Sequence, residues 1–441
     1  MKDSFIIKGG KPLKGEITLS GAKNVALKTI IAALMFDSVV YLENIPRISD
    51  VADLTELVRS LGGIAEFVDD NKLMVDGRKM KKNEVDLFYG SKIRASFMFF
   101  APLLLRFGNC IVPNPGGCRL GARPIDRIVN GLKAYGIVVD YNSETGFYKA
   151  KLVKAPSGIY RFEKPSHTGT ELLILVGLMT DSQVVIDNAA TEPEIDDLIV
   201  FLAEAGAVIR KEGNKIIVSK SFPLVQKFPF RIISDRNELV TYATLAIATR
   251  GDVVVGNISE KVISSFMGVL EKTGAGVERL TENRFRFYHK GEIRPIDIET
   301  APHPGFMTDW QPSFAVLLLT ANGPSIIHER VFENRFSYVD ELKKIGAQIE
   351  FSDQKVSNPN EFYHFNWEAG KEYRQAIKII GGQPLHNGVM NIKDLRAGAA
   401  LACAALLTTG ETIVNGVSNL ERGYEDFVGK IKRIGGDIKK I

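Results

Sequence analysis

Apolar residues along this chain alternate between two rhythms. Short apolar runs such as Ile216-Ile217-Val218 have the length and β-branched content of strands. Between them, apolar residues recur at helical spacing, as in Val339, Leu342 and Ile345, or Phe427, Ile431 and Ile434. Each such stretch runs into a glycine, and a further strand-like stretch follows. Six glycines mark these places: Gly62, Gly136, Gly206, Gly274, Gly346 and Gly435. They recur about every 70 residues, with one longer gap of about 90. Glycine there can close a helix in the left-handed conformation without steric cost. The pattern predicts one strand–helix unit repeated six times. That is a mixed α/β architecture, with sheets outside helices or the reverse.

Three units precede residue 230 and three follow it. The simplest division is two similar lobes, 23–233 and 1–22 with 234–441, with a crossing near Phe228 to Glu238. The extra length before Gly435 is polar and aromatic. It reads as a surface insertion around 352–384, centred on SDQKVSNPNEFYHFNWEAGKEYRQ.

Composition narrows the class. Of 441 residues, 45% are apolar and 24% charged, which argues against disorder. A net charge of +4 is too small to indicate nucleic acid as a partner. Cys110, Cys118 and Cys403 show no CxxC pairing and no histidine at ligand spacing, so neither a disulfide framework nor a metal site is expected. The N-terminus lacks an apolar h-region, and no apolar run reaches the roughly 18 residues of a membrane span. A cytoplasmic protein is expected, without membrane partner or cofactor, and a monomer.

Four segments stand apart from the repeat. SGAKN places Lys23 at a helix start, where backbone N–H groups favour anions; the ordinary reading is a surface lysine beside a cap. NPGGCRLGARPID reads as a loop carrying Cys118 among Arg119 and Arg123, a setting that lowers a thiol's pKa. In ETAPHPGFMTDWQPSF, prolines preclude a helix, and Asp309 is either an N-cap or a base. Arg335, Arg396 beside Asp394, and Arg422 fall at or near predicted helix starts. A cation there opposes the helix dipole, which suggests that they face an anion; surface ion pairs are the plainer reading. Taken together, Lys23, Arg123, Arg335 and Arg422 suggest a cleft for a phosphorylated carboxylic acid.

The ordered motifs SGAKN, PGGCRLGARPID, NAATEPEI, SDRNE, TAPHPGFMTD, VFENRF, DLRAGAA and ERGYE resemble those of the UDP-N-acetylglucosamine 1-carboxyvinyltransferase family, among the enolpyruvyl transferases. The resemblance runs from near Ser4 to the C-terminus. It implies an inside-out α/β barrel of six βαβαββ units, three per lobe, with the active site between the lobes. It implies phosphoenolpyruvate and UDP-N-acetylglucosamine as substrates. Lys23, Arg123 and Arg422 would hold phosphoenolpyruvate, with Arg335 and Arg396 alongside. Cys118 would protonate the vinyl carbon, and Asp309 would take the proton of the sugar 3-hydroxyl. Asn24, Arg94, Arg123, Pro124, Ile125, Asp126, Lys164, Ser166, Asp309 and Val331 would contact the nucleotide sugar.

Arg127, Ile128 and His167 depart from the family pattern on the nucleotide side, and Trp310 is also unusual. The altered Arg127 and His167 region motivates an alternative: a paralogue acting on another uridine nucleotide such as UMP. RNA 3′-phosphate cyclase, which shares the α/β unit, would need a nucleophilic histidine and a nucleotide-binding loop, and the chain shows neither. A non-catalytic nucleotide-sugar sensor would predict loss of Cys118, Lys23 or Arg422, and all three remain.

Overall fold

The computed structural model describes residues 3–116 and 125–441. Two compact units emerge: residues 21–116 with 125–233, here the N-terminal lobe, and residues 3–20 with 234–441, the C-terminal lobe. The chain passes between them after Ser20 and again after Ile233. The first strands, Ser4–Lys8 and Lys14–Thr18, therefore pair with strands of the C-terminal half.

Each lobe carries three sheets built on one plan. In the N-terminal lobe one sheet runs Phe230–Arg231, Val40–Glu43, Lys72–Asp76, Ile64–Asp69. Its first pair is parallel, with Phe230 opposite Leu42, and the other two pairs are antiparallel. The sheet Gly158–Arg161, Gln183–Asp187, Lys215–Ser219, Val208–Glu212 repeats that order. So does Asn109–Pro113, Phe147–Lys151, Val138–Asn142, whose parallel partner is reduced to a bridge between Glu84 and Ile111. The three sheets of the C-terminal lobe follow the same rule, with parallel pairs at Glu16–Val254, Ile298–Ile327 and Met390–Val414. The repeated unit is thus one small mixed sheet with two helices.

The two helices differ in burial. Lys23–Ala33, Phe100–Phe107 and His167–Gly177 in one lobe, and Arg236–Ala248, Gln311–Leu318 and Leu395–Leu407 in the other, are almost wholly buried. A helix apolar on all sides belongs in an interior, so these lie inside and the sheets lie around them. The second helices, such as Ser49–Ser60 and Pro193–Glu204, bury one face only. The six anchor glycines all take positive φ, from 81° at Gly274 to 108° at Gly206. They end the second helices as the sequence pattern predicts.

The insertion differs from expectation at its C-terminal side. Ala376–Ile380 is a central strand, paired with both Pro324–His328 and Gln348–Phe351. The surface part therefore ends at Gln375. Before it, Tyr363 and Phe365 are buried, and Tyr363, Trp367 and Tyr373 stack face to face. This segment carries its own small aromatic core. Among the described residues no helix is long and apolar enough to cross a membrane.

Candidate active site

Lys23 opens the buried helix Lys23–Ala33, and no side chain caps its first turn. The approach is set by Gly21, where a Cβ would lie 1.7 Å from the Asn44 carbonyl oxygen. Only glycine lets SGAKN run this close to the neighbouring strand. Lys23 Nζ lies 2.7 Å from Asp50 Oδ2, with both side chains largely buried. Asp50 is the first acidic residue of Ser49–Ser60, where sequence reasoning sees only a favourable helix start. Asn24 follows Lys23, half-buried on the same turn.

Ile125 and Asp126 start the helix Asp126–Ala134. Ser166 caps His167–Gly177, its hydroxyl accepting from Gly169 N at 3.2 Å. Burial depresses the basicity of Arg94. It does the same to Lys164, helped by the charge of Arg127. Glu163 lies against both cations and offsets part of their charge. Arg127 is therefore a charged neighbour of a candidate residue, a role its departure from the family pattern did not reveal. His167 meets Glu171 Oε1 at 3.2 Å, and Lys28 meets Glu171 Oε2 at 2.9 Å. Cys118, Arg123 and Pro124 lie outside the described residues.

The C-terminal lobe gathers Asp309, Arg335 and Arg396 into one chain of charges. Arg335 Nη2 lies 2.6 Å from Asp309 Oδ1. Arg396 Nε lies 3.6 Å from Asp309 Oδ2, and its Nη2 lies 3.5 Å from Asp235 Oδ2. Burial works against the charge on Arg335 and Arg396. Asp309 and Glu329 outweigh it for Arg335, and Asp235, Tyr424 and Asp309 for Arg396, so both guanidiniums stay firmly protonated. The same burial pushes the Tyr424 phenol up to about 12. The helix Gln311–Leu318 begins after Trp310 without a side-chain cap. The Asp309 carboxylate is committed to the two arginines instead. Asp394 is the cap, accepting from Arg396 N and Ala397 N at 3.1 and 3.0 Å.

One expectation needs correction. Arg422 is the C-cap residue of Val417–Glu421, not a helix start. A cation is favoured at that end, so the dipole argument gives no reason for it to seek an anion. Trp310 belongs to the core, fully buried, with Nε1 donating to Asn237 Oδ1 at 2.9 Å. Val331 lies just past the strand Pro324–His328, its N–H donating to Glu329. Sequence reasoning singled out neither Thr308 nor Asp235, although both sit inside quoted motifs, and it missed Glu329.

Arg396 carries the clearest sign of a ligand. Its Nε and Nη1 are buried with no acceptor at full hydrogen-bond geometry among the described residues, Nε lying 3.6 Å from Asp309 Oδ2 and the guanidinium also meeting the Tyr424 hydroxyl. Buried donors without acceptors are costly and rare, and oxygens of an anion would satisfy them. Among the described residues no group of histidine, cysteine and carboxylate side chains could hold a metal ion.

The sequence model of EPSP synthase (3-phosphoshikimate 1-carboxyvinyltransferase) matches residues 7–431. The chain belongs to this family. It is also 36% identical over 440 residues to a protein of Carboxydothermus hydrogenoformans named UDP-N-acetylglucosamine 1-carboxyvinyltransferase 1, spanning 100% of this chain and 98% of that one. A protein of Halothermothrix orenii, named UDP-N-acetylglucosamine 1-carboxyvinyltransferase, is 36% identical over 437 residues, 99% of each chain. Among solved structures, the enolpyruvyl transferase NikO from Streptomyces tendae superposes with a TM-score of 0.85 at 21% identity, covering 100% of this chain and 99% of its own. The fold is that of the enolpyruvyl transferases.

Proposed function

We propose that this enzyme transfers the enolpyruvyl group of phosphoenolpyruvate to the 3-hydroxyl of UDP-N-acetylglucosamine, releasing phosphate. This is the first committed step of peptidoglycan precursor synthesis, and its setting is the cytoplasm. The observation that carries the reading is full-length identity of 36% to relatives named for this activity. The buried guanidinium of Arg396, with donors left short of full hydrogen-bond geometry, supports an anionic substrate. The alternative acceptor, another uridine nucleotide such as UMP, is not favoured, because the named relatives match end to end.

In this mechanism the Cys118 thiol protonates carbon 3 of the enol, which leaves an oxocarbenium-like centre at carbon 2. The sugar oxygen attacks that centre as Asp309 takes its proton. A tetrahedral phospholactoyl adduct forms. The Cys118 thiolate then takes a proton back from carbon 3 as the C2–O bond to phosphate breaks, which releases phosphate and restores the double bond. Lys23, Arg123, Arg335, Arg396 and Arg422 stabilise the phosphate and carboxylate throughout. Asn24, Arg94, Pro124, Ile125, Asp126, Lys164, Ser166 and Val331 bind the nucleotide sugar. The enzyme acts as a monomer and needs neither cofactor nor nucleic acid.

The test is phosphate release from phosphoenolpyruvate with UDP-N-acetylglucosamine, with and without the epoxide fosfomycin. Release that the epoxide abolishes, and that Cys118→Asp makes resistant, supports the reading. Release only with another uridine nucleotide overturns the acceptor and keeps the chemistry.

A further inference from the structure

Glu329 follows the strand Pro324–His328 and is fully buried. Four donors converge on its carboxylate. Oε1 accepts from Val331 N at 2.7 Å and Phe332 N at 3.0 Å. Oε2 accepts from the Thr308 hydroxyl at 2.7 Å and from Gln311 Nε2 at 3.5 Å. Its backbone is clamped as well, donating to the Gln375 carbonyl at 2.7 Å and accepting from Gln375 Nε2 at 2.8 Å. Such a group is rigid, and a buried carboxylate costs several kcal/mol of desolvation if it has no charge to meet.

The charge it meets is Arg335, through one hydroxyl. Arg335 Nη1 donates to Thr308 Oγ1 at 2.8 Å while that hydroxyl donates to Glu329. The other arm of the same guanidinium holds Asp309 at 2.6 Å. The planar fork is thus pinned at both ends, which fixes where the Asp309 carboxylate sits.

We propose that Glu329 is a positioning residue for this reaction: through the Thr308 hydroxyl it holds the Arg335 guanidinium and so sets the place and basicity of Asp309. The inference rests on the reading of Asp309 as the group that takes the acceptor's proton. A glutamine at 329 would keep the shape and present N–H to Thr308. The hydroxyl would then face two donors, and the relay from Arg335 would be cut. Arg335 would also lose a negative partner and lean harder on Asp309, making it a weaker base. Among the described residues, the other groups around the pair include Arg396 on Asp309, Asp235 and Tyr424 on Arg396, and Asp394 near Arg335. On the Glu329 side stand Gln311 and, behind it, the Tyr338 phenol, which donates to Gln311 Oε1 at 2.5 Å.

The experiment measures kcat and KM for phosphate release against pH in the full chain and in Glu329→Gln, Thr308→Val, Thr308→Ser and Asp309→Asn. Glu329→Gln and Thr308→Val are expected to lower kcat about 30-fold, as small misplacements of a reacting group do, with KM for both substrates within about threefold. The acidic limb of their kcat/KM profile moves to lower pH. Thr308→Ser keeps the hydroxyl and restores kcat to within about threefold of the parent. The Thr308 pair decides the matter if Glu329→Gln does not fold. Parent-like kcat and pH profile in Glu329→Gln, with Asp309→Asn inactive, overturns the proposal alone, and so does a Thr308→Ser variant as poor as Thr308→Val. Parent-like activity in Asp309→Asn overturns the assignment of Asp309 and the proposal with it.

Discussion

Lys23 and Asp50 form a buried ion pair at 2.7 Å at the uncapped start of the first interior helix. Removing one partner of such a pair leaves a charge without compensation, at a cost of about 3 kcal/mol. Asp50→Ala should therefore lower the melting temperature. If Lys23 holds phosphoenolpyruvate as proposed, the ligand's negative charge should narrow that gap. Calorimetry with and without phosphoenolpyruvate checks this, and a gap that ligand leaves unchanged would count against Lys23 as an anion-binding residue.

The three thiols should separate cleanly. Cys110 and Cys403 are buried, and burial pushes both thiols far above the ordinary range. They will be inert to alkylation in the native state. Brief treatment of folded protein with iodoacetamide should label Cys118 alone, and denaturation should expose all three. Peptide mass spectrometry reads the outcome; native labelling at Cys110 or Cys403 would refute it.

Asp197 should make the N-terminal lobe sensitive to pH. Its carboxylate accepts from Ile233 N at 3.3 Å, at the last residue before the chain leaves the lobe. Burial, then the neighbouring Glu194 and Glu204, push it up to about 7 against the pull of the Ile233 N–H. The folded state thus holds a proton that the unfolded state gives up near pH 4. Stability is full below about pH 4, falls as pH rises, and stays reduced above about pH 7. Asp197→Asn removes that loss. It should stabilise the protein by about 1–3 kcal/mol at pH 8 and by little at pH 4, as urea melts at the two values will show.

The Lys28–Glu171–His167 cluster should act in the opposite way to a spectator. Burial alone would depress the His167 imidazole, but Glu171 outweighs it and the net shift is upward. A raised histidine contributes stability that is complete below about pH 6.5 and is lost as pH climbs through its folded value. His167→Val should therefore cost most stability near pH 6 and little near pH 9. A cost that does not vary with pH would mean that His167 packs without charging.

Much of the fold is legible in the sequence because its signals are local. A helix that runs into such a glycine ends there whatever surrounds it, since only glycine takes the left-handed turn cheaply, and all six anchors do so. Six such endings with strand-like runs between them specify a repeated unit. The residues with unusual chemistry, Lys23, Asp309, Arg335 and Arg396, also stand out, because their motifs break the repeat. The tertiary structure alone decides which element of a unit is interior. Composition cannot tell a buried helix such as Arg236–Ala248 from a half-buried one until its neighbours are known. It also decides which polar residues become partners. Asp50 and Asp235 look like ordinary helix starts, and Glu329 like the end of a strand. Asp50 and Asp235 join a charge network only when a helix distant in sequence brings Lys23 or Arg396 within reach, and Glu329 only when the Thr308 hydroxyl links it to Arg335. Asp309 shows the division most clearly. Its sequence position allows a cap or a base, and the backbone turns so that its carboxylate meets Arg335 and Arg396 while the next helix starts without a side-chain cap. Local chemistry sets what a residue can do, and burial beside particular charges selects what it does.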